Sequence, residues 1–253
     1  MRFVTRFQLG FISALSVAVV LLFAPPASVQ KPAGDKFKYL VERSQDAAQI
    51  LSLLAEQPKS GFPKDLIAKA QIVAIFPRVT KQGVLVRQFL QGYGVISARR
   101  DNGWSLPAYY QFTSSERKFS NKPPETLAVV LVFLSKDAAS WFAREGPKLK
   151  GERAAMLGPV GDVNQEQSKQ LAGAPVVAYT YYNGRLNGSD IDPGLFKDII
   201  LDQDNHANLP LYGTSGQEIL AGRKIDQTTI TEGVAAFQEA LQKYWPPPDR
   251  IGL

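Results

Sequence analysis

His206 is the only histidine among 253 residues, and the chain contains no cysteine. Composition alone therefore removes thiol nucleophiles, disulfides and Cys-containing zinc sites. A Ser-His-Asp hydrolase would have to use His206, and no G-x-S-x-G elbow precedes it. The polar stretch from Asp202 through Asp204 and His206 to Asn208 resembles the opening of a calcium loop. It fails at position six, which is Ala207 where a glycine is needed, and at position twelve, which is Gly213 where a bidentate glutamate is needed. A helix end or polar turn is expected there. Gly92-Tyr93-Gly94 has Ser97 at the third glycine position of a dinucleotide fingerprint, and a strand continues where a helix should start. Asp190 and Asp192 share one face of an expected strand, a spacing open to acid–base work, but no second feature joins them. No active site, metal set or cofactor is expected, and the chain reads as a non-enzyme.

What remains is basic residues lying beside aromatic ones. Lys36 and Lys38 flank Phe37, Lys64 and Lys69 bracket a short helical segment, and Arg78 and Lys81 follow Pro77. Arg99 and Arg100 stand at the mouth of a hairpin beside Trp104. Each Lys or Arg close to an anionic leaflet contributes about 1 kcal/mol, so four or five converging would give about millimolar association. Indole rings suit the headgroup layer. These residues form the candidate lipid-binding set. The competing account is that the charges are dispersed and that Trp104, close to Pro107, packs in the core.

The overall charge fits a weakly basic surface. Formal charge is +6, falling to +4 if Arg2 and Arg6 are lost with a leader spanning 1–27. That favours anionic surfaces without requiring nucleic acid, whose binders concentrate basic residues more heavily. The leader expectation rests on the basic pair, an apolar stretch from Leu9 to Phe23, and Ala24-Pro25-Pro26-Ala27, the layout of a secretory signal peptide. Fifteen residues at about 1.5 Å each fall short of the ~30 Å hydrocarbon core, which makes an uncleaved anchor the secondary expectation. Residues 28–253 are then a single domain, periplasmic or secreted, with peripheral membrane association.

Apolar spacing sets out the elements. Asp35 to Leu54 has helical periodicity, read as a helix packed on the core, with an interfacial helix as the alternative. A short helix from Pro63 to Lys69 leads to strands at Ile72–Phe76, Gly83–Gln88, Tyr93–Arg99, Ser105–Phe112 and Leu127–Phe133. Asn102-Gly103 and Asn183-Gly184 are type I′ hairpin signals, the second flanked by Val176–Tyr182 and Arg185–Ile191. Helices are expected over Lys136–Glu145, in one or two turns of Leu195–Asp202, from a Ser215-x-x-Glu218 capping box through Leu220, and over Thr229–Tyr244. The fold class is α+β: an antiparallel sheet of hairpins, curling toward a barrel, with helices at both ends.

Three stretches recur in a known order: Ala68 to Pro77, Gly92 to Tyr109, and Gly158-Pro159-Val160-Gly161. With Asn183 to Gly188 and Tyr212-Gly213, they resemble the SYLF domain family over roughly Leu66 to Gly222. That resemblance implies phospholipid binding without catalysis. In eukaryotic members it also implies actin binding, which an exported chain does not need. Family members carry a more glycine-rich segment where this chain has Arg87, Gln88, Phe89 and Leu90. The expected partner is an anionic phospholipid or membrane surface. The alternative is an envelope interaction module in which the same fold docks a protein.

Overall fold

Alternation of side chains along extended backbone explains why the central strands read as unbroken apolar runs. In β1 (Ile72–Val84), Val73 and Ile75 enter one buried cluster, while Ile72, Ala74 and Phe76 enter a second on the opposite face. β5 (Glu125–Phe133) divides the same way, with Val130 and Val132 on one side and Val129, Leu131 and Phe133 on the other. Both faces of the sheet centre are covered, so neither position of the alternation is polar. The computed structural model describes residues 33–246 apart from 58–60, 120–122, 136, 139–141, 143–147, 152–153, 189–191 and 227–229. The leader expectation over 1–27 and Asp190 lie outside these residues, as does most of the Lys136–Glu145 helix.

The fold is α+β, with a curled, half-barrel sheet of mostly antiparallel strands. Strand order is β6-β10-β4-β2-β1-β5-β8-β7, with β3 added to β2 and β9 to β8. The remaining strands are β2 (Arg87–Arg100), β3 (Gly103–Trp104), β4 (Ala108–Arg117), β6 (Lys148–Lys150), β7 (Met156–Leu157), β8 (Val176–Tyr182), β9 (Arg185–Asn187) and β10 (Asp198–Gln203). Among the described residues, only β7 and β8 pair in parallel. One face is covered by α1 (Ala33–Ala55), α2 (Lys64–Lys69) and α6 (Ala236–Tyr244). α3 (Gln165–Gly173), α4 (Asn205–Tyr212) and α5 (Gly216–Leu220) complete the described helices.

Helix α1 buries Leu40, Ser44, Ala47, Leu51 and Leu54, a single stripe at alternating spacings of four and three. Its apolar face is thus spent on the core, as the packed-helix expectation has it. The capping box at α5 is present, with Ser215 accepting from Glu218 N–H and the Glu218 carboxylate accepting from Ser215 N–H. α3 carries an equivalent box, Asn164 with Gln167, which lies in a stretch with no apolar period to announce it.

Two expectations about elements are corrected. Gly83–Gln88 is not one continuous strand: it holds the end of β1, the start of β2 and the reversal between them, where Val84 pairs with Arg87 around Leu85 and Val86. Leu195–Asp202, expected to hold one or two helical turns, is helical only at its start, in the 3-10 turn Pro193–Phe196; Asp198–Gln203 pairs as β10 with β4 and β6. Ile199 and Leu201 point into one cluster and form a two-residue period that the short stretch hides.

The glycine motif beside Pro77 has a steric cause. Pairing of β1 with β2 slips between Ile75 and Arg78, and pairing with β5 slips between Phe76 and Val79, so Phe76-Pro77 is a bulge. Proline lacks the N–H a regular ladder would use. The kinked strand presses onto β2: a Cβ on Gly92 would sit 2.6 Å from the Arg78 carbonyl oxygen, and one on Gly94 would strike the Ile75 carbonyl and Phe76. Pro77 and the two glycines are one feature.

Candidate functional site

The candidate cations separate into three places. At one end of the sheet, where β2 turns into β3, Arg99 is taken up inside the fold. Its Nε donates to the Ala70 carbonyl at 2.6 Å, Nη2 to Ile67 at 3.2 Å and Nη1 to Pro246 at 3.1 Å. Ile67 and Ala70 carry carbonyls at the C-terminal end of α2, where a cation is favoured. The guanidinium also lies 4.6 Å from the Trp104 ring centre. Burial holds its pKa below the ordinary arginine value. Arg99 thus spends its donors on backbone carbonyls of the fold.

Trp104 lies in the core, the competing account of its position. It is 3% exposed, and its indole N–H donates to the Trp245 carbonyl at 2.8 Å. Arg100 is half-buried, with Nε and Nη2 unpartnered among the described residues and its pKa lowered by burial, against the pull of Asp101. Lys64 and Lys69 are exposed at either end of α2. The fold does bring Arg99 to α2, as a headgroup surface would need, but it points the guanidinium at α2's backbone. The hairpin register is also shifted by one residue. Arg100 pairs with Gly103, so the turn is Asp101-Asn102, and Gly103 opens β3 with φ +132°. The positive φ is as expected; the turn is not.

A second place is a groove of about 520 Å³ between α1 and the bulged strands. Arg78 lies here, ion-paired with Asp46 at 2.6 Å. Arg43 is inside, paired with Asp204 at 3.1 Å and lying 4.9 Å from the Tyr93 ring centre. Behind it the Tyr109 hydroxyl donates to the Leu40 carbonyl and bonds to Ser44, and burial pushes its pKa up to about 12. Asp204 is the N-cap of α4 and accepts from Ala207 N–H, which accounts for the acidic stretch around it. Exposed His206 sits in the first turn. The groove's cations are already matched by carboxylates, and Lys38, exposed on α1, and Lys36, on its first turn, lie along the same helix.

The third place was not anticipated. Antiparallel pairing gathers the end of β1, the start of β2, the end of β4, the start of β5 and the end of β8 at the opposite end of the sheet. Arg87 and Arg117 are register partners there and both are exposed. Like charges directly opposite on neighbouring strands repel. Neither has an ion pair among the described residues. Lys118 and Lys197 are exposed at the same end, and Arg185 is exposed farther along the sheet, opposite Tyr182. Lys81, half-buried, pairs with Glu125 at 4.0 Å, and Lys118 pairs with Asp192. Those contacts hold the Asp192 carboxyl below its usual range, chiefly through the Lys118 hydrogen bond, whereas burial and then Asp192 raise Glu116.

Apolar side chains are exposed alongside these cations. Leu85 is 78% exposed, Val86 65% and Phe119 70%. Tyr182, at the end of β8, is also exposed. The thirty-position separation of Arg87 and Arg117 hides their adjacency from any reading along the chain; the β2–β4 register shows it. Among the described residues, no group of three or more acidic or histidine side chains could hold a metal ion, and no helix is long and apolar enough to cross a membrane. No family model matches the chain, and no curated protein matches it either.

Proposed function

We propose that this chain is an exported, non-catalytic protein that binds anionic phospholipid at the surface of a membrane of the cell envelope. One observation carries the reading: Arg87 and Arg117 stand opposed at an exposed sheet end, with Lys118 next to Arg117 in the chain and Lys197 just before the neighbouring strand β10. An anionic surface relieves their mutual repulsion, and each cation near such a leaflet adds about 1 kcal/mol. The SYLF-like order of motifs supports the same class of ligand. The surface differs from the one expected at Arg99, Arg100 and Trp104: Arg99 and Trp104 spend their polar atoms on the fold, and Arg100 is half-buried.

Co-sedimentation with vesicles tests the reading. The full chain should associate with vesicles rich in phosphatidylglycerol, weakly with phosphatidylcholine alone, and less as salt rises, because exposed charges are screened within about 8–10 Å. Arg87→Glu with Arg117→Glu should lower that association by at least tenfold. Equal association of the parent and the double variant would overturn the reading. Association indifferent to both salt and headgroup charge would instead support the alternative of an apolar protein interface.

A further inference from the structure

We propose that the β1–β2 turn is a wedge whose Leu85 and Val86 side chains, with Phe119 beside them, enter the outer acyl region of an anionic bilayer. This inference rests on the lipid reading above. It adds an insertion step to what would otherwise be adsorption by charge.

The turn's backbone is the first argument. Leu85 has φ +53°, and the other described non-glycine residue with positive φ is Asn183, at 50°. Asparagine and glycine suit that region; a bulky aliphatic residue does not. The Asn183-Gly184 turn shows what this fold uses where only a reversal is needed, with Gly184 at φ 75°. Leu85 is thus an unfavourable residue for the turn and, at 78% exposed, contributes little to the core. Backbone strain retained at an exposed apolar residue points to a use outside folding.

The surroundings select the occupant. Arg87 and Arg117 lie immediately behind the tip, and Lys118 separates Arg117 from Phe119. An apolar protein partner would not require opposed arginines at the base of its contact, whereas a leaflet presents anions first and hydrocarbon behind them. The tip projects about one residue rise, roughly 3.3 Å, past the arginine row, and the Leu85 side chain reaches further. Each leaflet's headgroup zone is about 5–7 Å deep. The order of chemistry on the protein therefore matches the order of layers in the membrane.

The absence of cysteine makes the test clean, because Val86→Cys and Asn102→Cys each give a single labelling site, at opposite ends of β2. Each full-length variant would carry an environment-sensitive nitrobenzoxadiazole label and be mixed with vesicles of phosphatidylglycerol and phosphatidylethanolamine. The Val86 label should shift to the blue and become at least fivefold less accessible to an aqueous quencher, with the Asn102 label unchanged. Replacing Leu85 and Val86 by Asn and Phe119 by Ser should weaken vesicle partitioning at least tenfold. It should leave the salt dependence, set by the arginines, in place. Leu85→Asn alone should weaken binding while raising thermal stability, which separates lost insertion from lost folding.

An unresponsive Val86 label on protein that still binds in a salt-sensitive way would overturn the wedge and leave the lipid reading standing. Equal responses from both labels would overturn it too, since the molecule would not be oriented by this tip. A parent chain showing no preference for anionic vesicles would overturn the lipid reading itself.

Discussion

The two hairpins that share strand β2 solve opposite problems. Where β2 meets β3, the turn is Asp101-Asn102, the positive φ falls on Gly103, and the flanking Arg99 and Trp104 are bonded into α2 and the C-terminal segment. Where β2 meets β1, the positive φ falls on Leu85, its neighbours are exposed, and the flanking Arg87 faces another arginine. One end follows the rules for turn residues. The other departs from them and sets two arginines opposite each other. A stable fold departs from such rules where a surface has something else to do, which is why the proposed binding surface is placed there.

The contrast can be broken by mutation, and the largest effect should come from Arg99. Arg99→Glu removes three hydrogen bonds to carbonyls and sets an anion against them, so it should cost about 3 kcal/mol or more of folding free energy. Chemical denaturation measures this; a loss under about 1 kcal/mol would mean Arg99 is free to face solvent after all. Next is Gly103→Val, expected to cost about 2 kcal/mol, because a β-branched residue cannot relax at that φ and its Cβ would also press on Gln242, 3.4 Å away. An unchanged denaturation midpoint would place the strained position elsewhere in the turn.

At the other hairpin the sign reverses. Leu85→Asn should stabilise by about 1 kcal/mol, since asparagine tolerates the left-handed region. Destabilisation by the same variant would show that Leu85 is packed rather than presented. The smallest effect is for Arg117→Glu alone, which turns a cross-strand repulsion with Arg87 into an attraction and should raise stability by about 0.5 kcal/mol. It should nevertheless weaken vesicle binding. A variant that binds anionic vesicles better would remove Arg117 from the surface.

Much of the fold was legible along the chain because local chemistry and tertiary pairing agreed. Asn183-Gly184, the Ser215–Glu218 box and the α1 stripe each signal with residues that serve one purpose. The Asn102-Gly103 signal was off by one because Gly103 enters the ladder opposite Arg100, a matter of register that composition does not contain. The β1–β2 tip was misread as a strand for a related reason: Val84, Leu85 and Val86 are good strand residues, and no glycine or asparagine marks the reversal. Turn chemistry and the proposed membrane contact ask for different residues there, and Leu85 suits only the second.

The candidate site was less legible than the fold. A basic residue near an aromatic one looks the same in sequence whether its donors meet water or a helix end. Arg99 and Trp104 lie together as expected, yet their partners are Ala70, Ile67, Pro246 and the Trp245 carbonyl, two of them more than a hundred residues away. The adjacency of Arg87 to Arg117 is likewise a property of strand pairing.

Those long separations have a consequence for the order of events during synthesis. Trp104 bonds across 141 residues to Trp245 and Arg99 across 147 to Pro246. Strands β1, β2 and β4 need nothing beyond Arg117 to pair. As the chain emerges from its N-terminus, the β1–β2 hairpin can form once Arg117 is made, while the other end waits for Trp245 and Pro246. Closing such distant contacts is slow, because loop entropy must be lost before the contact forms. The nascent protein therefore presents its greasy tip well before its core is shut, and chaperone capture in that interval should centre on Leu85 and Val86.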